Sequence, residues 1–226
     1  MNILAVDTAS RSCSVAVLSE QRVLSEISIL AKETHSIHLM EMVESAVRRS
    51  GVPKQELDGY AVTMGPGSFT GLRIGISTMK GFAEANGKPL VGVSSLDALA
   101  LSFSFSSIPV CSMLDAGRGE VYFAVYCFQE GVMKTKTREM AASPQQIAAD
   151  LKEKCLFVGD GSETYRETIR SGCGQNALFS EPSRNSIRAA HVAVLGIERM
   201  GRQGITDTEL IPHYIRKCDA EHKMGH

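Results

Sequence analysis

The feature of this chain that most restricts its fold is a repeat, because two stretches open with the same pattern. Ile3–Val6 is an uninterrupted apolar run that stops at Asp7, and Ile108–Leu114, which is apolar except at Ser112, is a second predicted buried strand that stops at Asp115. A run that is apolar at every position is typical of a strand buried on both faces of a sheet. After each run, the hydrophobic periodicity predicts the element order βββαβα. The sequence therefore predicts an α/β protein built from two duplicated βββαβα subdomains.

A serine-rich segment separates the two repeats. Residues 102–107 read Ser-Phe-Ser-Phe-Ser-Ser, which is the most linker-like composition in the chain. We place the N-terminal subdomain at residues 1–104 and the C-terminal subdomain at residues 105–200, and we expect residues 201–226 to join the N-terminal subdomain. In the second repeat, the pattern predicts the third strand at Lys134–Met140 and the last helix at Ser186–Met200.

The composition excludes several classes of protein. Hydrophobic residues make up 43% of the 226 residues, which is enough for a packed core. Lysine and arginine number 24 against 25 acidic residues, so the net charge of −1 argues against bulk electrostatic binding of nucleic acid. The six cysteines form no Cys-x-x-Cys pair, which fits a reduced interior. The first apolar run is far too short for a signal peptide or a membrane span, so we expect a cytoplasmic protein that does not enter a membrane.

A glycine-rich loop, Gly65–Gly75, lies between a predicted strand and a predicted helix. Backbone N–H groups at a helix N-terminus can hold an anion, so Gly65, Gly67 and Ser68 are candidate phosphate-binding residues. The loop lacks the Gly-Lys-Ser/Thr ending of a Walker motif. The alternative is a tight turn in which the glycines permit positive φ angles.

Two polar turns form a second candidate constellation. The turn after the first strand supplies Asp7, Thr8, Ser10 and Ser12, and the turn after the second run supplies Asp115 and Gly117. Acidic residues on two turns that face one cleft are typical of a Mg²⁺-nucleotide site. The alternative is that each aspartate only shapes its turn or caps a helix.

Histidine spacing suggests no metal site. His35 and His38 stand one turn apart, and His222 and His226 stand four residues apart, but neither pair has a third ligand in a matching context. The sequence also contains no pattern typical of a Ser-His-Asp or Cys-His nucleophile, so we assign no catalytic residue.

Two predicted helices of the first repeat have unusual surfaces. In Thr34–Ser50 the apolar positions cover more than the usual stripe of about 100°, which predicts a second contact besides the sheet. The helix Leu72–Ala85 is rich in glycine: Gly71, Gly75 and Gly81 each cost up to about 1 kcal/mol relative to alanine. Close approach of another backbone is the natural compensation for that cost.

Four segments resemble the bacterial TsaB family, also called YeaZ: Ile3–Thr8, Gly65–Gly75, Asp115–Tyr122 and Pro212–Arg216. The segment Gly-Pro-Gly-Ser-Phe-Thr-Gly-Leu-Arg-Ile-Gly is especially specific, and the match runs in order along nearly the whole chain. The resemblance implies an actin-like ATPase fold (the ASKHA, ribonuclease H-like group). It also implies a role in making threonylcarbamoyladenosine beside the anticodon of tRNAs that read ANN codons.

In that pathway, the resemblance implies that a paralogue, TsaD, transfers the threonylcarbamoyl group. TsaD relatives carry a His-x-Glu-Gly-His metal motif on the helix where this chain reads Ser95-Leu96-Asp97-Ala98-Leu99. Ser95 and Leu99 replace the two metal histidines, and neither is an imidazole-like ligand. We therefore expect a non-catalytic paralogue that supports TsaD and requires no cofactor, although its cleft leaves room for weak nucleotide binding.

The resemblance also implies the partners: a heterodimer with TsaD, a homodimer in isolation, and the ATPase TsaE as third component, with tRNA contacted mainly through them. The candidate interface residues lie on the two unusual helices: His35, Leu39, Met42, Ala46, Thr70, Leu72, Arg73, Ile74, Gly75, Ser77 and Thr78. For about half of the apolar ones we expect ordinary core packing instead. Two alternative functions remain: an active kinase or ATPase of the same superfamily, and a metallopeptidase-like hydrolase.

Overall fold

The computed structural model of the chain describes residues 1–20, 22–30, 35–203 and 209–215. Residues 204–208 and 216–226, which together hold Arg216 and most of the predicted segment 201–226, lie outside the described residues. The chain divides into two compact units. Residues 1–98 and 186–203 belong to the first unit, and residues 99–185 belong to the second.

The first unit contains a five-stranded sheet in the order β3-β2-β1-β4-β5. Its strands are β1 (Asn2–Asp7), β2 (Ser12–Ser19), β3 (Arg22–Leu30), β4 (Gly59–Gly65) and β5 (Leu90–Ser94). The central strand, β1, runs antiparallel to β2 and parallel to β4. Both faces of β1 are covered, and this burial explains why its sequence is apolar at every position from Ile3 to Val6.

Helices α1 (His35–Ser50) and α2 (Phe69–Asn86) cover one face of this sheet. Their core residues recur at helical spacing: Leu39, Met42, Val43, Ala46 and Val47 on α1, and Ile76, Met79 and Ala83 on α2. A glycine in the left-handed region follows each helix, with φ of 72° at Gly51 and 60° at Gly87. The two helices therefore form a layer whose outer side faces away from the sheet.

The second unit repeats the topology of the first. Its sheet has the order β11-β10-β6-β7-β8, and a short additional strand, β9, pairs with β7. The strands are β6 (Val110–Gly117), β7 (Glu120–Gln129), β8 (Val132–Lys136), β9 (Met140–Ala142), β10 (Cys155–Val158) and β11 (Ala177–Phe179). Helix α3 (Ser95–Leu101) follows β5 and leads into this unit, whose own helices are α4 (Pro144–Asp150), α5 (Asp160–Thr164) and α6 (Arg166–Cys173). Like β1, the central strand β6 pairs antiparallel on one side and parallel on the other. The predicted duplication is confirmed.

The last helix, α7 (Ala189–Gln203), packs on the first sheet, on the face opposite α1 and α2. Gly196 lies so close to Ala61 of β4 that a Cβ atom at residue 196 would be 2.6 Å from the Ala61 Cβ. The predicted boundary at residue 200 therefore needs correction, because the chain returns to the first unit at Ser186. Small residues at this contact, Gly196 and Ala61, permit the close packing of α7 on the sheet.

Two further differences concern the second repeat. The third strand begins at Val132, directly after the turn at Gly131, and ends before Met140, which starts β9. The ladder therefore breaks at residues 137–139 instead of running through them. Among the described residues, no helix is both long enough and apolar enough to cross a membrane.

Candidate functional site

Asp7 stands at the end of β1 with its side chain completely buried. Its Oδ1 accepts hydrogen bonds from the backbone N–H of Ala9 at 3.1 Å and from the hydroxyl of Thr63 at 2.8 Å. Thr63 lies on the neighbouring strand β4 and was missed by the sequence reasoning, although a threonine near the end of the adjacent parallel strand is a usable signal. Asp7 thus fixes the turn after β1 and ties it to β4.

The same turn is locked to the glycine-rich loop. The Thr8 hydroxyl donates to the carbonyl of Gly71 at 2.8 Å, and the backbone N–H of Ser68 donates to the carbonyl of Ala9 at 2.7 Å. A Cβ atom on Gly71 would overlap the Thr8 carbonyl oxygen, and one on Gly75 would overlap the Thr8 hydroxyl. The close approach at Gly71 and Gly75 is therefore made by the chain's own turn after β1, and contact of Gly75 with a partner stays a prediction.

The loop itself has the geometry of a capped tight turn. Gly65 and Gly67 have φ angles of 118° and 158°. Ser68 caps α2, because its hydroxyl accepts a hydrogen bond from the N–H of Gly71 at 3.2 Å. These contacts match the tight-turn alternative, since they use the glycines for positive φ and close approach. Phosphate binding by Gly65, Gly67 and Ser68 stays a prediction.

His35, at the start of α1, also contacts the turn after β1. It begins α1, is 8% exposed, and its Nε2 lies 2.8 Å from the carbonyl oxygen of Ser10. Because a carbonyl only accepts, Nε2 carries the proton. The hydroxyls of Ser10 and Ser12 share a hydrogen bond at 2.9 Å. The predicted residues Asp7, Thr8, Ser10 and Ser12 therefore do come together, in a turn held by β4, α1 and α2.

The second unit has a counterpart turn at Asp115. Asp115 Oδ1 accepts from the N–H of Gly117 at 2.9 Å, and Gly117 has a φ of 70°. The N–H of Asp115 donates to Oδ1 of Asp160 at 3.1 Å, which brings a second carboxylate, missed by the sequence reasoning, to this turn. The hydroxyl of Tyr165 lies 3.5 Å from Asp115 Oδ1, and burial together with the Asp115 charge raises the Tyr165 pKa. A nucleotide cleft that uses both turns stays a prediction.

Ser95 and Leu99, which the resemblance places at the metal-motif positions of TsaD relatives, are in the protein core. Ser95 and Leu99, on α3, are both 0% exposed. Among the residues that the structure describes, no group of three His, Cys, Asp or Glu side chains is arranged to hold a metal ion. The surroundings of α3 are thus those of packed interior.

The interface candidates divide into two sets. Six candidates are buried and pack within the chain: His35, Leu39, Met42, Ala46, Leu72 and Gly75. Their contact with a partner stays a prediction. They face inward because they are the positions at which α1 and α2 pack on the sheet and on the turn at Thr8. The remaining candidates are exposed or partly exposed: Thr70, Arg73, Ile74, Ser77 and Thr78.

Two apolar residues on the outer side of α1 were missed. Ile37 is 59% exposed and Met40 is 54% exposed, three residues apart on one side of the helix. They are the part of the broad apolar arc that the sheet does not cover. We call the set formed by Ile37, Met40, Thr70, Arg73, Ile74 and Ser77 the helical surface.

Comparison with known proteins places this chain in a family. The model of the family described as TsaD, tRNA N6-adenosine threonylcarbamoyltransferase, matches residues 23–224. The tRNA threonylcarbamoyladenosine biosynthesis protein TsaB of Bacillus subtilis is 30% identical, and the alignment covers 99% of this chain and 97% of that protein. TsaB of Escherichia coli is 34% identical over 73% of this chain and 74% of that protein.

Solved structures agree on the fold. YeaZ from Pseudomonas aeruginosa has a TM-score of 0.81 at 28% identity, covering 94% of this chain and 99% of that chain. EutJ from Carboxydothermus hydrogenoformans, at 13% identity, has a TM-score of 0.50 and covers 86% of this chain and 89% of that chain, a likeness of fold alone. The predicted actin-like α/β fold is confirmed. The chain belongs to the TsaB family, within the wider group of sequences that the TsaD family model describes.

Proposed function

We propose that this chain is an accessory subunit for the synthesis of tRNA threonylcarbamoyladenosine, which supports TsaD and does not itself transfer the threonylcarbamoyl group. Two observations together support the proposal. The chain matches TsaB relatives along its whole length, while the positions that hold metal in TsaD relatives are Ser95 and Leu99, both sealed in the core. A leucine side chain offers no lone pair to a metal, and a buried serine hydroxyl is a poor substitute for imidazole.

The helical surface is the part of the chain that we propose for TsaD. It exposes two large apolar side chains, Ile37 and Met40, on a helix layer that is otherwise anchored to the sheet. Arg73 is held in place on α2, since its guanidinium lies 3.7 Å from the centre of the Phe69 ring. An apolar centre with an arginine at its border is typical of protein interfaces. Without TsaD, the same surface would pair with a second copy of this chain.

We further propose that this chain needs no cofactor and that tRNA is contacted mainly through the partners, TsaD and the ATPase TsaE. The net charge of −1 supports this division, because a tRNA-binding surface relies on a basic excess. Weak nucleotide binding at the turn after β1 stays a prediction to test, since the Asp7 side chain there is 0% exposed and its Oδ1 already accepts from Ala9 and Thr63.

The proposal is tested by reconstituting the modification of tRNA from TsaD, TsaE and the synthase that makes threonylcarbamoyl adenylate, with this chain present or omitted. We expect modification to fall to background when the chain is omitted. A matched variant, Ile37→Glu with Met40→Glu, is expected to behave like the omission while remaining folded. Equally fast modification without the chain would overturn the proposal.

Two simple assays separate the alternatives. Magnesium-dependent ATP turnover by the isolated chain would favour an active kinase or ATPase, whereas our proposal expects none above a control that carries Asp7→Asn. Stoichiometric zinc or iron in the purified chain would favour the metallopeptidase-like alternative. Peptide cleavage that is lost when the metal is chelated would confirm that alternative.

A further inference from the structure

The edge strand β8 of the second sheet is exposed along its whole length. Every residue from Val132 to Arg138 is exposed, so neither face of this stretch is covered by the core. β8 ends the strand order of its sheet, and among the described residues no strand pairs with its outer edge. Such an edge presents a row of backbone N–H and C=O groups to any strand that approaches.

The charges on this stretch all have one sign. Lys134, Lys136 and Arg138 are cationic, and residues 132–138 include no acidic residue; Glu130 and Glu139 lie just outside the stretch. Lys136 donates to Glu139 at 2.7 Å and lies 5.7 Å from the centre of the Tyr126 ring, so it is held in place on the strand. Like charges directly opposite each other are unfavourable across a strand pair, whereas opposite charges are favourable. The pattern thus opposes pairing of two copies of β8 and favours an acidic strand.

An exposed aromatic residue lies at the end of the same strand. Phe105 is 86% exposed, and its ring packs beside the turn at Gly131, 3.0 Å from where a Cβ of residue 131 would stand. The loop that carries Phe105 is held in place by contacts with Arg184. Arg184 donates to the carbonyl of Ser102 at 2.6 Å, and its guanidinium lies 4.5 Å from the centre of the Phe103 ring. An aromatic side chain on a braced loop loses little entropy on binding, as expected of an anchor.

We propose that the β8 edge, which we define as Phe105 with residues 132–138, binds an extended acidic segment of a partner protein as an added strand. The backbone of β8 supplies the hydrogen-bond ladder, the cationic residues select acidic side chains, and Phe105 together with Val132 takes one apolar side chain. Val132 follows Gly131 in the chain and is 57% exposed, which leaves its side chain available for contact. In strand addition the ladder supplies affinity and the side-chain contacts supply specificity. The inference does not depend on the proposed role in tRNA modification.

The test uses the isotopically labelled full chain and amide NMR spectra. The probe is the acidic peptide Glu-Val-Glu-Thr-Glu-Val-Glu with blocked ends, and the control is its counterpart in which every glutamate is lysine. Titration to about 5 mM at low salt detects dissociation constants in the millimolar range. We expect the acidic peptide to shift the amides of Phe105 and of residues 132–138, and to slow their hydrogen exchange, while the lysine peptide does neither.

Variants separate charge recognition from general stickiness. The pair Lys134→Glu with Arg138→Glu, and the milder pair Lys134→Gln with Arg138→Gln, are expected to weaken binding at least tenfold and about threefold, respectively. Phe105→Ser is expected to weaken it severalfold. The matched control, Arg48→Glu with Lys54→Glu on the first unit, reverses two exposed charges and is expected to change nothing.

Three results would overturn the proposal. The first is an acidic peptide that leaves residues 132–138 unperturbed at about 5 mM. The second is an equal response to the lysine peptide or undiminished binding by the charge-reversed variant. The third is a short RNA that shifts these amides when the peptide does not, which would reassign the cationic residues to phosphate contacts.

Discussion

Replacement of Gly71 by alanine tests the claim that the glycine-rich loop serves the chain's own packing. A methyl group at this position would overlap the carbonyl oxygen of Thr8, which is also the residue whose hydroxyl donates to the Gly71 carbonyl at 2.8 Å. Ordinary contacts between heavy atoms begin near 3.5 Å. The turn after β1 and the start of α2 must therefore move apart, and the buried hydrogen bond is lost.

The magnitude follows from three contributions. Alanine gains up to about 1 kcal/mol of helix propensity over glycine. Forced displacement in a packed site costs about 1–3 kcal/mol, and a buried polar group left without its hydrogen bond costs about 1–3 kcal/mol. The expected net effect is a loss of about 3 kcal/mol in the free energy of unfolding.

Urea unfolding followed by circular dichroism measures this loss, and two other glycines of α2 supply the comparison. A Cβ on Gly75 would meet the rotatable hydroxyl of Thr8 instead of a carbonyl, so Gly75→Ala is expected to cost less than Gly71→Ala. Gly81 has no neighbouring atom within 4 Å, so Gly81→Ala is expected to raise stability by up to about 1 kcal/mol. A Gly71→Ala protein as stable as the Gly81→Ala protein would refute the reasoning.

Three further outcomes are expected. Ile37→Glu should abolish association with TsaD in a pull-down without lowering the urea midpoint, whereas Leu39→Ala, which opens the core, should cost about 2–5 kcal/mol; a destabilised Ile37→Glu protein would contradict the assignment of Ile37 to the surface. Burial, helped by the charge of Arg188, lowers the pKa of His191, although Glu26 opposes the shift. Below about pH 6.5 the unfolded chain therefore binds a proton that the folded chain does not, so the free energy of unfolding should fall with acidification. This pH dependence should be weaker in the His191→Gln protein. Burial, with Asp7 nearby, raises the pKa of Cys13 to about 12, so iodoacetamide at about pH 8 should label the partly exposed Cys127 and spare Cys13 in mass spectra, and equal labelling would exclude the buried environment.

Much of the fold could be predicted because it depends on local pattern. The apolar run at Ile3–Val6 and the helical periodicity before Gly51 both report burial that the sheet itself creates. The placement of α7 could not be predicted in this way, since a helix with small residues fits either sheet. Only the close approach of Gly196 to Ala61 decides between them.

The candidate site shows the same division. The sequence pointed to Asp7 and Thr8, because a polar turn after a buried strand is visible locally. It could not show that Gly71 and Gly75 lie against Thr8, since that contact joins residues more than sixty positions apart. For the same reason Leu39 and Ile37 could not be told apart: both belong to a broad apolar arc, and only the packing of α1 on the sheet determines which one is buried.

The most direct test of the central claim, that this chain supports the transfer and does not perform it, is a titration. The chain is added in increasing amounts to a fixed quantity of TsaD, TsaE and adenylate-forming synthase, and the initial rate of tRNA modification is measured at concentrations above the dissociation constant of the complex. An accessory subunit predicts a rate that rises and then stays constant once the chain equals TsaD in amount. A rate that continues to rise in proportion to this chain, with TsaD held fixed, would contradict the account.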